Sequence, residues 1–126
     1  MAANSTSGGI FSRIFISPPQ AIVAAGAIAL PHSLGIAPKL IWGQLICGTA
    51  DAGYSIGDVY PIDFGAQGNS PGLSHSGVAA SPDATNMNII FGASLSPATI
   101  FVLQKGTKQL TGIVNTSWSF IAYGVA

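Results

Sequence analysis

The sequence predicts an all-β domain, an antiparallel β-sandwich or small barrel of about six to eight strands. Three observations predict it. Short apolar or alternating segments recur along the chain, and 16 glycines and 8 prolines punctuate them. No segment longer than about ten residues shows helical periodicity with caps.

Residues 1–9 carry Asn, Ser, Thr and Gly, with no large apolar side chain after Met1, as an arm would. Ile10-Phe11-Ser12-Arg13-Ile14-Phe15-Ile16 follows, β-branched and aromatic, and stops at Ser17-Pro18-Pro19. The chain therefore divides into an N-terminal arm over 1–16 and one β domain over 17–126. Ile10, Phe11, Phe15 and Ile16 are too apolar to leave in water. Strand addition to a neighbouring subunit would satisfy them, with Arg13, the arm's lone charge, at the rim.

Gln20 to Leu30 reads as a strand of small residues closed by Pro31-His32-Ser33. Lys39 to Gly48 is the strongest strand, apolar on both faces as in the centre of a sandwich. Val59 to Phe64 is short, and Gly77 to Ala80 is weaker. Asn86 to Phe91 alternates, with Met87, Ile89 and Phe91 on one face. Thr99 to Gln104 is apolar. Ser117 to Val125 sets Trp118, Phe120 and Ala122 against Ser117, Ser119 and Ile121. Gly-rich or Pro-containing turns separate these segments, at 52–53, 57–58, 65–69, 81–83 and 105–107.

Charge decides the next step. Only 6% of the 126 residues are charged and the net charge is zero, where soluble domains carry about 25%. Something other than charge must cover the surface, either lipid or other protein subunits. Pro18, Pro19 and Pro31 interrupt the charge-free interval from Arg13 to Lys39, and its apolar run Ala21 to Leu30 is too short to span a bilayer as a helix. Nothing there resembles a signal peptide. Burial by protein neighbours is the better reading, which implies a homo-oligomer. Lys39, Lys105 and Lys108 make no basic patch for nucleic acid.

Catalysis needs titratable groups brought together, and the chain has no Glu, two histidines (His32 and His75) and four aspartates. No Gly-x-Ser-x-Gly elbow is present, so no enzyme activity is expected. Asp51, Asp58 and Asp63 do not follow calcium-loop spacing and sit beside turn residues, where Asp bonds locally. Cys47, inside an apolar strand, reads as a small buried hydrophobe rather than a zinc ligand. No metal or cofactor is expected. The loop carrying Tyr54 and Asp58 is the candidate ligand site, with a glycan as the ligand class. Trp42 and Trp118 read as core or interface anchors, and Trp118 and Tyr123 have opposite strand parity.

The order of these blocks resembles a known group. Leu34-Gly35-Ile36-Ala37-Pro38-Lys39, the strand ending at Cys47, and Ala52-Gly53-Tyr54-Ser55-Ile56-Gly57-Asp58 look like small virion proteins of tailed bacteriophages. In that group such lines occur in capsid decoration proteins and in tail-fibre modules. The end, Asn115-Thr116-Ser117-Trp118-Ser119-Phe120-Ile121-Ala122-Tyr123-Gly124, is also similar to the H-type lectin fold, a six-stranded sandwich that trimerises. The likeness covers residues 20–126. The polar outer-strand residues by which H-type lectins hold sugar have no residue-by-residue match here. The resemblance thus implies fold and trimeric assembly before sugar binding. It implies a capsid decoration (cement) protein, made in the host cytoplasm and located in the virion, with the major capsid protein as partner. A receptor-binding tail-fibre module is the alternative; the chain's brevity favours the first.

Overall fold

The alternating segments become 11 strands in the computed structural model, which describes residues 13–67, 76–93 and 98–126. They are β1 (Ile14–Ile16), β2 (Gln20–Ala21), β3 (Ala27–Pro31), β4 (Leu40–Cys47), β5 (Val59–Ile62) and β6 (Gly65–Gln67). β7 (Ser76–Ala80), β8 (Asn86–Phe91), β9 (Phe101–Leu103), β10 (Leu110–Gly112) and β11 (Trp118–Val125) complete the set. One 3-10 turn, Asn115–Ser117, leads into β11. The fold is all-β and every strand pairing is antiparallel.

A five-stranded sheet runs β1-β11-β4-β5, with β2 pairing to β11 beyond β1. A four-stranded sheet runs β3-β8-β7-β6, and β9 with β10 forms a separate hairpin. β11 is long enough to hold β1 at Tyr123–Val125 and β2 at Ser119–Phe120 along one edge. Pro18-Pro19 separates those two partners because proline cannot donate to a ladder. At the break, the Ser17 hydroxyl accepts the Ala122 amide (2.9 Å) and the Ser17 amide donates to the Ala122 carbonyl (2.9 Å).

One core closes the structure. Leu45, Cys47, Trp118, Phe120 and Ala122 of the five-stranded sheet meet Leu30, Val78, Met87, Ile89 and Phe91 of the four-stranded sheet. Phe91 and Phe120 meet edge to face at 5.6 Å. Ile100, Val102 and Ile113, in and beside the hairpin, join the same cluster. The alternation expected in β8 and β11 is the observed one: Met87, Ile89, Trp118, Phe120 and Ala122 are buried.

Several expectations need correction. The strands outnumber six to eight because short segments pair that no pattern marked. β6 lies where the sequence predicts a glycine turn, and β10 is too short and too polar to show alternation. Gln20 to Leu30 is two strands in two sheets. A turn closed by the Gly26 amide on the Val23 carbonyl (2.8 Å), with Ala25 at φ 60°, redirects the chain between them. β4 is not covered on both faces, since only its inward side chains are buried. Residues 14–16 pair with β11 of their own chain, and Arg13 extends that ladder through paired amide–carbonyl bonds with Ala126 (3.1 and 3.0 Å). Ile10 and Phe11 lie outside the described residues.

Candidate functional site

Seven of the eight charged residues lie in connections between strands (Lys39, Asp51, Asp58, Asp63, Asp83, Lys105 and Lys108), and Arg13 stands just before β1. The strand faces are therefore uncharged, and the two large sheets use that differently.

Side chains alternate across a strand, so the register of the five-stranded sheet fixes which residues point away from the core. Ile14, Val125 and Leu40 form one row; Ile16, Tyr123 and Trp42 the next. Ile121, Gln44 and Pro61 form a third, and Ala21, Ser119, Ile46 and Val59 a fourth. Ile14, Ile16, Leu40 and Val59 are 59%, 55%, 51% and 48% exposed. At the centre the Trp42 and Tyr123 rings stack, 5.0 Å between centroids and 3° from parallel. The Tyr123 hydroxyl donates to Gln44 Oε1 (2.8 Å), so the principal polar pair of the face satisfies itself.

The outward face of the four-stranded sheet is of another kind. Register puts Ala27, Ala29, Ala79 and Pro31 there with Asn86, Asn88 and one large apolar residue, Ile90. Other exposed large hydrophobics are single or sit on loops and hairpins, among them Ile36, Ile56 and Leu110. Among the described residues, only the five-stranded sheet carries a contiguous apolar surface.

The residues singled out from sequence fall as follows. Phe15 points inward and packs on the core, edge to face with His32 at 6.2 Å, whereas Ile16 joins the outer face. The Arg13 guanidinium donates to its own chain's Leu34 carbonyl at 2.7 Å. Tyr54 and Asp58 are brought together, with Lys105 joining them. Asp58 Oδ2 accepts the Ser55 amide (2.9 Å) and pairs with Lys105 Nζ (3.3 Å). Those two contacts, the amide foremost, hold the Asp58 carboxyl below its usual range. Lys105 also lies 5.7 Å from the centre of the Tyr54 ring. The Tyr54 hydroxyl donates to the Leu103 carbonyl (2.6 Å), and the Tyr60 hydroxyl accepts the Leu103 amide (3.1 Å). These groups clip the 51–58 loop to the β9–β10 hairpin.

Beside that clip lies a shallow groove of about 300 Å³ lined by Tyr60, Asp63, Phe64, Gln67 and Phe101 among others. Gln67 is already used: its amide donates to the Phe101 carbonyl (3.0 Å) and accepts the Phe101 amide (2.8 Å). Cys47 is buried, and its thiol donates to the Thr49 carbonyl at 3.1 Å. His32, in the turn that closes β3, is buried. Its Nδ1 accepts the Leu34 amide (3.0 Å), leaving Nε2 to donate to the Asp83 carbonyl (2.8 Å). His75 lies outside the described residues. Among the described residues no three His, Cys, Asp or Glu side chains cluster as a metal site would, and no helix is long and apolar enough to cross a membrane.

Sequence reasoning missed the outer face. Its signal was present in Ile14, Ile16, Leu40, Trp42, Ile121 and Tyr123, but only the β1–β11–β4 register puts them on one side. Comparison with protein-family models, curated proteins and solved structures finds no match to this chain.

Proposed function

We propose that the chain is a non-enzymatic structural subunit of a bacteriophage virion, a capsid decoration protein that clamps neighbouring shell subunits. In this reading the domain is a β-sandwich that assembles as a trimer. The observation that carries it is the division of the surface: the charges in the connections and just before β1, and one sheet face that is large, uncharged and mostly apolar. Such a face on a free monomer is an aggregation liability, whereas on a subunit it is a contact.

A second reading, a tail-fibre module recognising host glycan, draws on the groove that Tyr60, Phe64 and Phe101 line together with Asp63. Quantitative mass spectrometry of purified particles of the encoding phage separates the two. A copy number comparable with the major capsid protein supports decoration. A few copies per particle, lost with the tail fibres, favours the fibre module. Absence from the particle overturns both.

A further inference from the structure

We infer that the outer face of the five-stranded sheet is where copies of this chain bind one another, with the Trp42–Tyr123 stack at the centre of the contact. The inference deepens the structural reading above, and rests on it for the premise that the chain works as an assembly.

Three observations point to a second copy as the occupant. The first is charge. A partner recognised through ion pairs leaves charged residues on the surface that meets it, and this face has none. A flat, uncharged, apolar surface is matched by another of the same kind, and among the described residues the face itself is the only contiguous one.

The second is area. With strands about 4.8 Å apart and residues rising about 3.3 Å, the paired strands present a flat footprint of about 400 Å². Two copies give about 800 Å² before the relief of standing side chains is added, and a specific interface needs about 1,000 Å² or more. Aromatic residues at the centre with apolar residues around them are the composition of an interface core.

The third is that one edge of each large sheet is poorly suited to the same task. Pro61 lies in edge strand β5 and Pro31 in edge strand β3, and each removes a donor that edge-to-edge pairing would use. Faces, not those edges, remain for association.

The test compares the full chain with Ile16→Lys and Ile90→Lys. The two isoleucines are matched in exposure, 55% and 56%, and lie on the outward faces of different sheets. A lysine at either site keeps its head in water in a monomer, so folding is preserved, which circular dichroism verifies. Sedimentation velocity over nanomolar to micromolar concentration should show Ile16→Lys dissociating at a concentration at least tenfold higher than the full chain, with Ile90→Lys within twofold of it. Trp42→Ala should move in the same direction as Ile16→Lys. Equal behaviour of the two lysine variants overturns the inference. So does a full chain that stays monomeric while floating with phosphatidylcholine vesicles, since lipid would then be the occupant. A monomeric chain that is still abundant on purified particles overturns the inference and leaves the decoration reading standing. Dissociation specific to Ile16→Lys supports the inference even if the chain is absent from particles.

Discussion

Single residues carry much of the order in the connections. Asp83 accepts from the Thr85 amide (2.8 Å), the Asn86 amide (2.7 Å), the Thr85 hydroxyl (3.0 Å) and Asn88 Nδ2 (3.0 Å). Those donors, the Asn86 amide foremost, hold its carboxyl far below the usual carboxylate range. A depressed folded-state pKa gives stability that is present above about pH 4, the unfolded value, and lost as pH falls below it. Urea midpoints should therefore fall between pH 5 and pH 2, and Asp83→Asn should flatten part of that fall while lowering the midpoint at neutral pH. Asp51 works at longer range. One oxygen accepts both the Trp118 indole (2.9 Å) and the Val114 amide (2.9 Å). Trp118→Ala should lower stability by about 3–5 kcal/mol, read by chemical denaturation. The sequence marks Trp118 as an anchor by parity and size. It marks Asp51 only as a turn aspartate, because a partner 67 residues away leaves no local pattern.

At the scale of strands, alternation was legible wherever one side is buried and the other is polar or small, as in β8 and in β11. It fails where both sides are apolar. In β4, Leu45 and Cys47 are core while Leu40, Trp42 and Ile46 face outward, and nothing in their chemistry tells the two sets apart. Register supplies the difference. Gly43 shows how closely that register is fitted. It pairs with Ala122, and a Cβ there would stand 2.6 Å from the Phe120 ring and 3.4 Å from Ile62. Gly43→Val should destabilise the fold by roughly 1–3 kcal/mol through overpacking, measured as a lowered denaturation midpoint. β6 and β10 were not legible because three-residue strands are too short to display a period.

For the whole molecule, composition says that so weakly charged a chain needs its surface covered, and structure says where. The charges sit at the ends and loops, the four-stranded sheet shows alanine and asparagine, and the five-stranded sheet shows isoleucine, leucine, tryptophan and tyrosine. Composition alone could not choose among these surfaces, since each contributes apolar residues to the same total. The arm expected over 1–16 is likewise legible only in part: its last residues are an edge strand of the domain, because Ile14 and Ile16 find cross-strand partners in Val125 and Tyr123. Whether this chain is a subunit or a free monomer is decided by multi-angle light scattering of the purified protein at micromolar concentration. A discrete homo-oligomer, a trimer, is expected without added ligand. A monodisperse, soluble monomer would contradict it.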